Sequence, residues 1–371
     1  MLKNLLYTFF WIFLFLPSAQ AQVSNRFVSA YQHYQNGKDL YNKNQFGPSI
    51  IAFQKFTEMA PNAPQNYDAQ IYILLSKLKL QHKNTYRQLT RLALQNTGMP
   101  VNNFALFELG NHYFSKSKYR QAKKYYSKVD ASEYDYENYE KIQFNLGYSY
   151  FKINEMDVAK RRFERIKNKT TSPYYLRTNY FYGYICYAQK QFEEAIENWS
   201  KLGDKGPKTM QLQLAQIYYG KGDYKQAIEK AKLANINKLN QASDLLLGKC
   251  YFQQANYENA YIYLKNIDSD KLTNEEKAQI AYCEYLYEHP EKATALLSEI
   301  SSSEGSLGQM ANYYLAKTYL KNSDKKNAFS ALAISKNIEE DKNIQELSLS
   351  EVVHLRDMER NYILKLVVHI T

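Results

Sequence analysis

The sequence predicts an all-α chain built as a stack of helix–turn–helix units, an α-solenoid. Three observations lead there. A pair of small residues twelve apart recurs in phase, at Gly110/Ala122, Gly147/Ala159, Gly183/Ala195, Ala215/Ala227, Gly248/Ala260, Ala281/Ala293 and Ala316/Ala328. Successive pairs are 32–37 residues apart, the period of a helical repeat array. Four residues after the second small residue stands a bulky one, Tyr126, Phe163, Trp199, Leu264, Leu297 or Leu332, with Ala231 the small case. Small side chains let two antiparallel helices approach where they cross, and the large residue then fills the space beside the crossing.

The clearest unit is Leu109 to Val129, in which Leu109-Gly110, Tyr113, Ala122 and Tyr126 keep this register. Leu146-Gly147, Tyr150, Ala159 and Phe163 repeat it, and aromatic residues at Tyr119, Phe192, Tyr224 and Tyr257 close several turns. This pattern resembles the tetratricopeptide repeat (TPR) family. The resemblance covers roughly residues 30–335 and implies a right-handed α-solenoid of about nine repeats, with first helices lining an inner face that grips a partner polypeptide.

The N-terminus is read separately. Lys3 precedes an apolar run from Leu5 to Leu16, Pro17 breaks it, and Ala19-Gln20-Ala21 offers a cleavage site before Gln22. Residues 1–21 therefore read as a cleaved secretory signal peptide, because the run is shorter than the ~20 residues that span a bilayer. Export, most plainly to a periplasm, follows as an expectation.

Residues 22–336 read as the array. Its first unit is looser, with Gly37 and Ser49 twelve apart, Phe53 as the bulky residue and Pro61 closing. Two apolar runs, Ile71 to Leu80 and Tyr86 to Leu94, supply a degenerate second unit without the small pair. Connectors carry capping chemistry at Asp130-Ala131-Ser132 and Thr170 to Pro173, and Thr273 with Glu276 reads as a capping box. Residues 337–371 read as an incomplete repeat or tail. Leu347 to Leu355 suits a first helix, but no alanine follows twelve residues on, and charged Arg356 to Arg360 reads as a break before apolar, β-branched Tyr362 to Ile370. The array is therefore expected to stop in mid-repeat, without a proper second helix or a capping helix.

The residues that carry chemistry are sparse. Six histidines are scattered among different repeats without metal-ligand spacing, and no nucleophile elbow or phosphate-binding loop is present. A non-catalytic protein without metal or cofactor is expected. Cys250 and Cys283 hold equivalent places in adjacent repeats, about 9–10 Å apart as packed helices are, beyond the reach of a disulfide. Free, packed thiols are expected there and at Cys186. The net charge of +11 and the 36 tyrosines raise the question of nucleic acid. The lysines are dispersed and the signal sends the chain elsewhere, so nucleic acid is not the expected partner.

A stripe at positions −3, +1 and +4 around the small residue of each first helix shares one helical face. It contains Phe107, Asn111 and Phe114; Phe144, Tyr148 and Phe151; Tyr180, Tyr184 and Tyr187; Gln216 and Tyr219; and Lys249 and Phe252. In the family resembled, this face looks into the groove. These residues are the expected binding surface for a protein or peptide, with Lys249 favouring an acidic segment. The alternative is an envelope assembly factor that stacks polysaccharide or peptidoglycan sugars on the same rings. The setting resembles that of exported envelope scaffolds of this family in Gram-negative bacteria, with no transmembrane anchor once the signal is removed. Partner and oligomeric state are left open.

Overall fold

The computed structural model describes residues 27–95, 98–235, 241–268 and 272–370, the last ten of them as backbone alone. The segment read as a signal peptide lies outside the described residues. Among those residues, all regular secondary structure is helical, and it divides into two units, one ending at Lys201 and the other beginning at Leu202.

The first unit contains five hairpins. They are α1 (27–42) with α2 (Phe46–Met59), α3 (Asn66–Lys79) with α4 (Thr85–Gln95), and α5 (Pro100–Ser115) with α6 (Tyr119–Tyr126). The last two are α7 (Tyr136–Lys152) with α8 (Met156–Glu164), and α9 (Tyr175–Ala188) with α10 (Phe192–Ser200). The second unit pairs α11 (Lys208–Gly220) with α12 (Tyr224–Ala234), and α13 (Gln241–Gln253) with α14 (Tyr257–Leu264). It continues with α15 (Asn274–Leu286) and α16 (Pro290–Ile300), α17 (Gly305–Lys321) and α18 (Lys325–Asn337), and the long α19 (Lys342–Ile370). Within each unit consecutive hairpins stack. Several first helices also touch the next first helix directly, as in the rows α3–α5–α7 and α11–α13–α15–α17.

The hairpins other than α3–α4 turn by the same device. The residue seven after the small position adopts a left-handed backbone: Asn44, Ser117, Asn154, Lys190, Gly222, Ala255, Glu288 and Ser323, with φ between 55° and 76°. The next N–H reaches back to a carbonyl five residues earlier, as in Lys118 N to Tyr113 O at 2.9 Å and Gln191 N to Cys186 O at 2.8 Å. This satisfies a carbonyl at the end of the first helix that would otherwise lack a partner. Only Gly222 among these eight is the residue type best suited to such a backbone. The α3–α4 hairpin turns more widely, with left-handed residues at both Gln81 and Asn84.

The crossings show why small residues recur. Ala122, Ala159, Ala195, Ala227, Ala260, Ala293 and Ala328 are fully buried. The glycine of each first helix lies against the bulky residue sixteen positions later. A methyl group on Gly110 would meet the Tyr126 ring at 2.6 Å, and one on Gly183 would meet Trp199 at 2.6 Å. Gly147 faces Phe163, Gly37 faces Phe53 and Gly248 faces Leu264 in the same way. In the first hairpin Ser49 replaces the alanine and donates to Gly37 O at 2.8 Å. The degenerate second hairpin instead buries Leu75, Leu89 and Ala93.

Buried amides fasten one repeat to the next. Asn103 donates to Asp130 O at 2.9 Å and accepts from Asp130 N at 2.8 Å. Asn179 donates to Lys167 O, and Asn312 to Ser301 O, both at 2.7 Å. Asn179 and Asn312 satisfy carbonyls near the end of the preceding hairpin and Asn103 one just past the end of its own, where a lost partner would cost about 1–3 kcal/mol.

The expected break in the tail is absent. Helix α19 runs unbroken through Arg356 to Arg360 and on to Ile370. Charged residues are fair helix formers and β-branched ones cost only tenths of a kcal/mol each, so neither feature stops a helix. The N-terminal half of α19 packs on α18. It buries Val352 and Leu355, while Ser348 donates to Ser335 Oγ at 2.9 Å. Gln309 clamps the connection, donating to Ile338 O and Asp341 O and accepting from Asp341 N.

Candidate binding face on the first helices

The stripe residues divide by burial. Phe107 and Phe144 are 3 % and 0 % exposed, so the expectation that they contact a partner is corrected. Their rings are roofed by residues of the following connection and of the next first helix. Tyr134 lies 5.1 Å from Phe107 with the Lys141 ammonium 5.4 Å over the ring. Tyr174 lies 4.9 Å from Phe144 with the Arg177 guanidinium 4.5 Å over it. Asn111 is half-buried and holds the plug of its own hairpin, accepting from the Tyr126 hydroxyl at 2.7 Å. Lys249 is corrected too. Its ammonium is bound to Glu276 at 2.8 Å and lies over Tyr219, so attraction of an acidic partner would compete with an existing ion pair.

The remaining rings are half-buried, and they knit successive repeats together. Tyr148 sits 5.7 Å from Phe114 and 5.5 Å from Tyr119, both of the preceding hairpin, each ring meeting it edge to face. The second unit repeats this triad, with Tyr282 at 5.8 Å from Phe252 and 5.2 Å from Tyr257. Phe151 meets Tyr184 at 5.5 Å, and Phe181 lies 4.9 Å from Tyr148 and 5.1 Å from Phe151. Edge-to-face pairs of this kind are worth about 0.5–1.5 kcal/mol each beyond their buried area. Tyr180 and Tyr184 are the least committed rings of the first unit, while Tyr187 packs on Trp199 at 5.7 Å. In the second unit Gln216 is exposed and Tyr219 rests on Tyr224 at 5.7 Å. The stripe residues up to Tyr187 lie in the first unit, and those from Gln216 lie in the second.

Phe181, Tyr282 and Tyr314 also belong to this face, although the stripe as read from the sequence does not include them. Applying the same register to Ala281 places Tyr282 at +1, so that signal was available. Phe181 sits at −2, outside the stripe, and only the fold reveals it.

All three cysteines are free and buried, as expected. Burial pushes Cys186 and Cys250 up to about 11 and Cys283 to about 12, so these thiols stay protonated and unreactive near neutral pH. Among the described residues, no group of three or more His, Cys, Asp or Glu side chains could hold a metal ion, and no helix is long and apolar enough to cross a membrane.

One carboxylate is out of place. Glu284 stands three after Ala281, where other first helices carry Tyr113, Tyr150 or Tyr319, and its side chain is only 2 % exposed. Its Oε2 has no hydrogen-bond partner, and the Lys292 ammonium is 4.0 Å from Oε1. Burial raises its pKa, against the opposing pull of Lys292, His289 and Lys265. A carboxylate raised in the folded state favours folding while protonated and loses that contribution as pH climbs from its unfolded pKa through its folded one. Glu284→Gln is therefore expected to stabilise the second unit by about 1–2 kcal/mol at pH 7, with the advantage shrinking toward pH 4. Urea denaturation of both proteins at the two pH values measures this, and an advantage independent of pH would exclude the carboxylate as its source.

Residues 142–169 match the family model described as tetratricopeptide repeat. That match covers part of one hairpin, and the same register recurs in the hairpins of both units, so the fold is a stack of helix pairs of the tetratricopeptide-repeat kind. The comparison with curated proteins gives no match. Among solved structures, the chain is similar to the C-terminal part of a TPR repeat-containing protein from Cytophaga hutchinsonii, at 19 % identity and a TM-score of 0.41, covering 65 % of this chain and 98 % of that one. It is similar to the apo form of RapI, at 15 % identity and a TM-score of 0.41, over 82 % and 96 % of the two chains. It is also similar to YrrB, described as a TPR protein with an unusual peptide-binding site, at 15 % identity and a TM-score of 0.33, over 64 % and 97 %.

Proposed function

We propose that this protein is an exported, non-catalytic scaffold that binds a segment of a partner polypeptide along its first helices, in assembly or organisation of the cell envelope. The observation that supports it is the row of half-buried aromatic residues these helices keep, Phe114, Phe151 and Tyr184 in one unit and Tyr219, Phe252 and Tyr282 in the other. Aromatic side chains left partly open bring large contact area at small cost in rotamer entropy, and tyrosine adds a hydroxyl. Export rests on the signal-like residues 1–21. Stacking of sugars is the weaker reading, because it needs broad flat faces open to solvent, and around Tyr148 neighbouring rings meet edge to face with Phe114 and Tyr119.

The test is photo-cross-linking in intact cells, with the reactive residue placed at Tyr184 on α9 or, as a control, at exposed Arg161 on α8. A discrete adduct from Tyr184 alone, recovered in the envelope fraction from a chain beginning at Gln22, is expected. Equal adducts from both positions would move binding off the first helices, and a cytoplasmic adduct retaining Met1 would remove the export.

A further inference from the structure

We propose that a cleft between α15 and α17 receives the basic side chain of an arginine-bearing polypeptide segment. The inference rests on the partner-binding reading above and names the chemistry that one site on that face would recognise. The cleft has a volume of ≈ 350 Å³. It exists because Ala278 occupies the −3 position of its helix, where Phe107, Phe144 and Tyr180 stand in other repeats. A small residue at this place leaves the space between two first helices unfilled.

Its walls are aromatic. Phe252 and Tyr257 close one side, and Tyr282 and Tyr314 the other. Consecutive rings are nearly perpendicular, with Tyr257 and Tyr282 5.2 Å apart at 73° and Tyr282 and Tyr314 4.9 Å apart at 75°. Rings set at right angles line the cleft with edges as well as faces, and a face, whose quadrupole is negative, attracts a cation.

Two acceptors stand beside the rings. Glu275 lies exposed at the rim, and Gln279, one turn on, has a buried Oε1 without a hydrogen-bond partner. Glu275, Gln279 and Tyr282 follow the i, i+4, i+7 spacing of one helical face. Among the described residues no lysine or arginine lines the cleft, although the chain has 48 of them against 37 acids. The nearby Lys249 ammonium is already engaged by Glu276. An orphaned amide oxygen, a free carboxylate and four rings together complement a cation. A guanidinium suits them better than an ammonium, being planar, able to stack on a ring, and rich enough in donors to reach both oxygens.

The Met310 methyl lies in the cleft and reports on it. The mature chain with ¹³C-labelled methionine methyls would be titrated with an acetylated, amidated Gly-Gly-Arg-Gly-Gly peptide, and with the same peptide carrying citrulline or phenylalanine in place of arginine. A saturable shift of the Met310 resonance is expected with arginine. Citrulline is expected to bind at least tenfold more weakly, a difference of about 1.4 kcal/mol. Glu275→Gln, at the exposed rim, should weaken the arginine peptide about threefold or more, and Ala278→Phe should abolish its shift. The Glu275 variant keeps the test alive if Ala278→Phe disturbs the fold. Equal binding of the citrulline peptide, tighter binding of the phenylalanine peptide, or no saturable shift would each overturn the proposal. If the Tyr184 adduct persists in a chain that ignores the arginine peptide, the cleft fails alone and the scaffold reading stands.

Discussion

A chain ending at Asp341 is expected to lose about 4–6 kcal/mol of stability in its second unit, while a chain ending at Asp357 keeps it. The first half of α19 buries Val352 and Leu355 against the last hairpin and covers Ala328, Ala331 and Leu332 of α18, all in one apolar cluster. Complete burial of a valine or leucine contributes about 1.5–3 kcal/mol, and the exposed α18 face adds to the loss. The Ser348–Ser335 hydrogen bond and the Lys317–Glu351 pair at 2.6 Å go as well, the pair contributing least because both partners are partly in water. Both truncations retain Asp341 and hence the partners of the Gln309 clamp. Repeat arrays need a terminal element to cover the last apolar face, and this first half of α19 supplies it. Hydrogen exchange of the α17 and α18 amides, read by mass spectrometry, isolates the effect from the rest of the array. Unchanged protection in the shorter chain would show that α19 is not the cap.

The hairpins were legible because one steric requirement, a small residue at a close crossing, is written into each repeat at a fixed spacing. Gly110 with Ala122 and Gly183 with Ala195 carry that signal because the same pair recurs in phase along the chain. The places of the turns were legible, but their left-handed residues only in part, because that backbone falls on Lys190, Ala255 and Glu288 as well as on the better-suited Asn44, Asn154 and Gly222. The candidate binding face was legible in register only. Periodicity places Phe144 and Tyr148 on one side of α7, but whether a ring is open depends on what the next connection lays over it. Tyr174 and Arg177 cover Phe144, thirty or more residues downstream. The tail was misread for a related reason. Charge and β-branching in residues 356–370 bear on helix propensity, a weak preference, while the helix is anchored by the packing of residues 348–355 on α18. The signal-like N-terminus lies beyond the described residues and stands as an expectation from composition.

Gly183→Ala is expected to destabilise the first unit by about 1–3 kcal/mol, against the usual direction for a helical glycine. Alanine is the better helix former by about 1 kcal/mol, so a mid-helix glycine without steric duty should gain from this change. Gly183 has such a duty. The added methyl would lie 2.6 Å from both Cδ1 and Nε1 of Trp199, closer than carbon atoms pack. The indole cannot swing aside freely, because its Nε1 donates to Tyr180 O at 3.0 Å and the ring is fully buried. Overpacking therefore exceeds the gain in propensity. The array itself suggests the remedy, since alanine stands opposite leucine at Ala281/Leu297 and Ala316/Leu332. The double variant Gly183→Ala with Trp199→Leu is expected to recover part of the loss relative to the sum of the two single changes, a coupling of about 1 kcal/mol or more for residues in contact. Urea denaturation followed by circular dichroism measures all three variants. For Gly183→Ala alone, Trp199 fluorescence reports the crossing directly, as it is the one tryptophan left once residues 1–21 are removed. Additive losses would show that the glycine and the indole do not share one crossing, and a Gly183→Ala protein more stable than its parent would show that the ring yields without cost.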